Sequence, residues 1–146
     1  MIKYLINKKD IDLALILIKD SFLKFVAPDY SKEGVNEFLN TINDNKWINN
    51  QSFIAYFIDG EIVGIIATRN QNSHISLFFV KDSFMGKGIG RKLINEIIIN
   101  NKNEKVTVHS SPFAVKIYEK LGFIKTSQEK CINGMLFIEM EHLIDK

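Results

Sequence analysis

The segment Val80-Lys-Asp-Ser-Phe-Met-Gly-Lys-Gly-Ile-Gly-Arg91 places glycine at three alternate positions, Gly86, Gly88 and Gly90, with Lys87, Arg91 and Lys92 beside them. Glycine reaches positive φ and lets the backbone approach a ligand closely. Ile89, Leu93, Ile94, Ile97 and Ile98 then recur at helical spacing, which predicts a helix opening in this loop and running to about Asn100. A helix start offers unpaired N–H donors and the positive end of the dipole. Loop, helix start and basic side chains together make an anion cradle suited to a phosphate or pyrophosphate. No Gly-Lys-Ser/Thr follows, so this is not a P-loop, and the third glycine comes too early for a dinucleotide fingerprint. A second segment, Ser111-Pro-Phe-Ala-Val-Lys-Ile-Tyr-Glu-Lys-Leu-Gly-Phe123, carries Tyr118 on a predicted helix. Ser111-Pro112 reads as its N-cap and first residue, and Gly122 as its stop. Taken singly, the first segment also fits a plain flexible loop, and the second an ordinary capped amphipathic helix.

These groups need a scaffold. Ile2, Tyr4 and Ile6 alternate as in a short strand. Asp10 reads as the cap of a helix from Ile11 to about Phe25, with Ile11, Leu15, Ile18, Phe22 and Phe25 as its apolar stripe. Pro28 ends that region, and Ser31 caps a second helix bearing Val35, Phe38, Leu39 and Ile42 on one face. Asn43 to Asn50 reads as loop with Trp47 tucked inward. The period then changes to two. Ser52–Ile58 and Glu61–Arg69 flank the hairpin pair Asp59-Gly60, and Asn70–Ser73 leads to the strand His74–Val80. Val106–His109 is a short strand, and Phe123–Glu129 and Met135–Leu143 meet near the turn pair Asn133-Gly134. The order is β-α-α-β-β-β-α-β-α-β-β. It predicts an α/β (α+β) fold with one mixed, mostly antiparallel sheet covered by helices on both faces. No linker or repeat interrupts the chain, so residues 1–146 read as one domain.

Composition narrows the function. In 146 residues, 46% are hydrophobic and 25% charged, as in an average globular protein. The net charge of +2 is too balanced to mark a nucleic-acid binder. Apolar runs such as Ile62–Ala67 and Leu13–Ile18 are far shorter than a membrane span, and the charged N-terminal residues do not resemble a signal peptide. A cytoplasmic protein with no nucleic-acid or membrane role is expected. The single cysteine, Cys131, leaves no disulfide framework and no thiolate zinc site, and no metal is expected. With only two arginines, Arg69 and Arg91, the position of each carries weight.

Met85-x-x-Gly88-x-Gly90 followed by Ala114-x-x-x-Tyr118-x-x-x-Gly122-Phe123 resembles the GNAT (GCN5-related) N-acetyltransferase superfamily. The strand order matches as well, so the likeness covers nearly the whole chain. It implies acetyl transfer from acetyl-CoA, as co-substrate, to the primary amine of a small molecule or peptide, by direct attack in a ternary complex. It also implies a sheet splayed between its fourth and fifth strands, with the pantetheine arm in the gap. The main chain of Phe78, Phe79 and Val80 would then face the cofactor. So would the loop residues Met85, Gly86, Lys87, Gly88, Ile89, Gly90 and Arg91, and Ser111, Ala114 and Tyr118 beyond them. One position departs from the family: Met85 stands in a slot that usually holds Gln or Arg, and its side chain donates no hydrogen bond.

The chemistry implied makes two further demands. An amine with a pKa near 10.4 loses roughly 4 kcal/mol in available nucleophile at neutral pH, so a base or a desolvating pocket is required. The resemblance points to His74, near where the family often keeps a Glu; His109 or a chain of waters are the alternatives. The departing thiolate needs a proton or a strong hydrogen bond, and Tyr118 occupies the family's general-acid position. Full transfer from a phenol to a thiolate is uphill by about 2 kcal/mol, so a hydrogen bond to sulfur comes first. Phe22, Phe25 and Tyr30 are expected to line the acceptor pocket. The acceptor, the acyl length and self-association, a homodimer included, stay open. A non-catalytic CoA or acyl-CoA binding module with the same fold is the competing reading.

Overall fold

Turn chemistry sets the strand order. Asp59 and Gly60 take φ of +51° and +78°, and Asn133 and Gly134 take +52° and +79°. Positive φ at both central residues gives the tight reversal whose twist matches the flanking strands. Asn70, Gln71 and Asn72 form a third reversal, again at positive φ. The computed structural model describes residues 1–144, arranged around a sheet that runs β1-β2-β3-β4-β5-β8-β6, with β7 pairing beside β6 on β8. The strands are β1 (Ile2–Leu5), β2 (Ser52–Ile58), β3 (Glu61–Arg69), β4 (His74–Val80), β5 (Lys105–Ser110), β6 (Ile124–Lys125), β7 (Lys130–Ile132) and β8 (Met135–Leu143). All neighbours are antiparallel except β4 and β5.

The helices are α1 (Lys8–Ser21), α2 (Lys32–Ile42), α3 (Asn45–Asn49), α4 (Ile89–Ile98) and α5 (Val115–Lys120). Each face of the sheet has its own core. Val63, Ile66, Ile75 and Val106 pack with Leu93 and Ile97 of α4 and Tyr118 of α5. Phe53, Ile65, Ala67 and Leu77 pack with Ala14 and Ile18 of α1 and Ile42 of α2. β3 supplies both cores, which is why Ile62–Ala67 is apolar without alternation.

Five expectations are corrected. Helix α1 is capped by Asn7, whose side chain accepts the Asp10 N–H, so it begins before Ile11 and Asp10 lies in its first turn. It ends at Ser21 rather than Phe25; Phe22–Val26 continue as a π turn and Ala27–Asp29 as a 3₁₀ turn. Asn43–Asn50 is not all loop, because Asp44 caps the short helix α3. Ser111 does not cap α5: its hydroxyl and carbonyl both accept the Ala114 N–H, closing a separate turn, and the helix starts at Val115. The strand expected over Phe123–Glu129 breaks after Lys125, because the Ser127 hydroxyl takes the Glu139 N–H that a continuous ladder would use.

One glycine contact fixes α2 over the β7–β8 hairpin. Gly34, in the first turn of α2, lies against Gly134 so closely that a Cβ on either would overlap the other's backbone. The Ser31 hydroxyl caps α2 by accepting the Gly34 N–H at 3.2 Å. Gly34→Ala should therefore lower the melting temperature. Its helix-propensity gain of about 1 kcal/mol is outweighed by an overlap with rigid backbone costing roughly 1–3 kcal/mol more. An unchanged or raised melting temperature would show that the two backbones part easily.

Candidate active site

The parallel pairing of β4 with β5 extends over only two residue pairs, His74 with Thr107 and Ile75 with Val108. Beyond Ile75 the strands diverge. The β3–β4 register slips between Ala67 and Thr68, leaving Ser76 as the extra residue of a bulge. The bulge reverses the phase of the strand. Lys81 N–H donates to Val63 O, so, stepping back by two, Phe79 and Leu77 turn their main-chain groups to β3. Phe78 and Val80 turn theirs into the gap. Of the three residues expected to offer main-chain partners there, Phe79 is thus directed to β3 instead.

The glycine loop closes one end of this gap. Gly86 and Gly88 have φ of +76° and +81°, and a Cβ on either would meet nothing within 4 Å. Gly88 is the N-cap of α4 and has no side chain to satisfy the first-turn N–H groups. Gly90 is needed for packing: a Cβ there would stand 3.0 Å from the Phe78 ring. Arg91 donates to Lys120 O at 3.0 Å and ties α4 to α5. A cleft of about 710 Å³ runs from this loop along the gap and takes in Met85, Ile89, Ser111, Ala114 and Tyr118. Lys87 stands outside the lining, with its ammonium 5.3 Å from the centre of the Phe84 ring.

The other end of the cleft lies under α1, α2 and the π turn. Phe22 is fully buried, stacked on Phe38 at 3.8 Å with Tyr30 edge-on at 5.5 Å. Phe25 reaches across to Phe113, ring to ring at 4.9 Å, and Lys24 pairs with Asp82. The π turn therefore spans from the α1 side to the loops around the glycines. Trp47 and Phe137 complete the aromatic lining, and His74 and His109 stand 5.0 Å apart at the splay. Among the described residues no group of side chains is set to hold a metal, and no helix is long and apolar enough to cross a membrane.

Residues 26–144 match the model of the GNAT acetyltransferase domain. This chain belongs to the GNAT acetyltransferase family. Over 102 residues it is 28% identical to UPF0157 protein YqkA of Bacillus subtilis, a match covering 66% of this chain and 29% of that longer protein. The fold is that of a GCN5-related N-acetyltransferase from Rhodopseudomonas palustris, with a TM-score of 0.81 at 18% identity, covering 99% of this chain and 95% of the other. It is also that of a PaiA N-acetyltransferase from Thermoplasma acidophilum in complex with coenzyme A, with a TM-score of 0.70 at 20% identity, covering 98% and 99%.

Within this GNAT fold Tyr118 and the two histidines of the cleft are held neutral. Burial pushes the Tyr118 phenol far above its usual range, and no side chain among the described residues bonds its hydroxyl. His74 is lowered to about 4, first by burial and then by Arg69 and His109. Its Nδ1 lies 2.8 Å from the Thr107 hydroxyl, which donates to Ser73 O at 3.3 Å. That hydroxyl therefore accepts from Nδ1–H, and the lone pair is left on Nε2. Burial also lowers His109; Glu139 opposes this, while Arg69 and Lys130 add to it.

Two lining residues escaped the sequence reading as site groups. Ser76 Oγ is buried without a partner at the bulge, and Arg69 reaches the cleft from the end of β3. Arg69's rarity was a usable signal; nothing local marks Ser76.

The histidine carries a measurable consequence. The unfolded chain takes up the His74 proton more readily than the folded one, so stability present above pH 6.5 is lost as pH falls toward about 4. Thermal melts should show that fall, and His74→Gln should make it smaller. An equal fall in both proteins would reject a buried neutral His74.

Proposed function

We propose that the protein transfers an acetyl group from acetyl-CoA to a small-molecule or peptide amine. The observation that carries this reading is the open edge of β4, with Phe78 and Val80 directing main-chain groups into a gap that the glycine cradle caps. The residues fit such a co-substrate. Gly86 and Gly88 leave open space at their Cα atoms, and the first turn of α4 leaves its N–H groups for a pyrophosphate. When bound, acetyl-CoA supplies a thioester carbonyl and a thiolate leaving group.

The chain's own groups then divide the work. The main chain at Phe78 and Val80 pairs with an extended arm as a further strand would. A Phe78 N–H aimed at the carbonyl oxygen stabilises charge that develops there, in a site from which apolar walls exclude water. Tyr118 stays protonated and donates a hydrogen bond to sulfur. Its raised pKa makes full transfer to a thiolate uphill by more than about 2 kcal/mol. His74, lowered to about 4, is too weak to take a proton from an ammonium, a step of roughly 9 kcal/mol. It serves instead as a hydrogen-bond acceptor at Nε2, orienting an amine that enters as the free base; the proton that nitrogen sheds as the C–N bond forms and the C–S bond breaks ends on the departing thiolate, giving the amide and free thiol.

Met85 in the family's Gln or Arg slot, and a cleft lined by no Asp or Glu among the described residues, favour one competing reading: a module that holds CoA without turnover. A panel of amines with acetyl-CoA, read by thiol release, separates the two. Turnover above the rate of the uncatalysed reaction supports transfer; binding of CoA without thiol release from any amine supports the module. Two variants test the parts. Gly88→Glu should abolish CoA binding in calorimetry, because the cradle then holds bulk and like charge; retained affinity would refute the cradle. Tyr118→Phe should lower kcat by roughly 10- to 100-fold with little change in CoA affinity. Unchanged turnover would remove Tyr118 as the group that stabilises the departing sulfur.

A further inference from the structure

The charges of the cleft are unbalanced. Among the described residues no Asp or Glu lines it, whereas Arg69, Arg91 and Lys120 do. Arg91 and Lys120 belong to the α4–α5 end, where the Arg91 guanidinium is tied to a carbonyl. Arg69 stands at the opposite end. It is the last residue of β3, directly across from His74, and so shares the sheet face that α1 and α2 cover. Its guanidinium makes no ion pair and no hydrogen bond among the described residues, although it is partly buried. The titratable groups that face it are His74 and His109, both held neutral and neither able to balance it. Glu139, the carboxylate nearest in the electrostatics of His109, is engaged by Lys130 at 2.7 Å.

A half-buried guanidinium with free N–H donors, in an aromatic pocket whose described lining holds no acid, is a site for an oxyanion carried in by the ligand. We infer that the acceptor is an amine that also bears a carboxylate, which Arg69 binds while Phe22, Tyr30, Trp47 and Phe137 enclose an apolar body. This rests on the acetyl-transfer reading above and narrows it. The same charge pattern repels polyamines and other multiply cationic acceptors, which need acids in the pocket. It also gives Arg69 two functions: pairing with the carboxylate sets the amine toward the splay, and neutralising Arg69 removes one of the influences that hold His74 and His109 down.

The test uses matched probes at two spacings: phenylalanine against phenethylamine, and 5-aminopentanoate against pentylamine. With acetyl-CoA, the better carboxylated amine should show kcat/KM at least tenfold above its carboxylate-free partner. Arg69→Gln should erase that ratio by loss on the carboxylated side alone, and Arg69→Lys should keep part of it. Binding gives an independent readout. Trp47, the single tryptophan, lines the cleft, so its fluorescence reports occupancy. N-acetylphenylalanine should bind the parent at least tenfold more tightly than Arg69→Gln, and N-acetylphenethylamine should bind both alike. If no amine releases thiol while this binding difference holds, the transfer reaction fails and the carboxylate site stands. Equal use of carboxylated and carboxylate-free amines, or an equal loss on both in Arg69→Gln, would overturn the assignment of Arg69.

Discussion

Two adjacent parallel strands that pair over only two residues are the constraint on which the site depends. A sheet that stops pairing in its middle leaves peptide groups unmatched inside the molecule, and each such group is costly where water is excluded. The gap persists because both strands are held from their other sides. β4 is laddered to β3 along its length, and β5 to β8 over six residues, Lys105 to Ser110. The helices cannot close it either, since Gly90 against Phe78 and Arg91 against Lys120 fix α4 and α5 at their spacing. An open ladder held this way is complementary to any extended chain that brings its own amides. The bulge at Ser76 decides which residues meet it, because one extra residue moves Phe78 and Val80, rather than Leu77 and Phe79, to the free edge.

What the sequence made legible was local. Asp59-Gly60 and Asn133-Gly134 declare their hairpins because two consecutive positive φ angles are demanded within the pair itself. The glycine loop and the Tyr118 segment are readable for the same reason: donors, dipole and stop signal all lie within a few residues. Gly34 was silent. Its necessity comes from Gly134, a hundred positions away, and inside a helix it looks like a mere weakness. Arg69 and Ser76 were hidden by parity. The face on which a strand residue stands depends on every bulge before it, and both β3 and β4 carry one, at Val63 and at Ser76. Ser127 shows the same limit differently, since a side chain replacing a ladder rung breaks a strand that reads as continuous.

The cleft treats its ionisable groups as an apolar solvent would. Burial alone raises Tyr118 and is the largest influence on His74 and His109, so each is kept in its uncharged form at neutral pH. Such a site is poor at moving protons outright and good at holding neutral partners through directed hydrogen bonds. Arg69 is the exception, because a guanidinium stays charged at any depth. Among the described residues Arg69 is the one permanent charge lining the α1–α2 end of the cleft, and the two histidines beside it respond to that charge rather than oppose it.

The π turn explains how one helix serves both the core and the cleft. Read as a continuous stripe, Ile11, Leu15, Ile18, Phe22 and Phe25 would all face inward. Phe22 does, and is fully buried. After it the turn widens: the Ala27 N–H bonds the Phe22 carbonyl, five residues back, and the following side chains rotate off the stripe. Phe25 is thereby released from the core to stack on Phe113, and Lys24 is turned to Asp82. The ion pair joins two exposed side chains and contributes little by itself. The stack counts for more, because it joins an apolar pair across the cleft between the α1 side and the segment leading into α5. A regular helix through Val26 would have buried Phe25 and left that span unmade. The irregularity is thus the local geometry by which the helix roofs the cleft while Phe22 stays stacked on Phe38 at its wall.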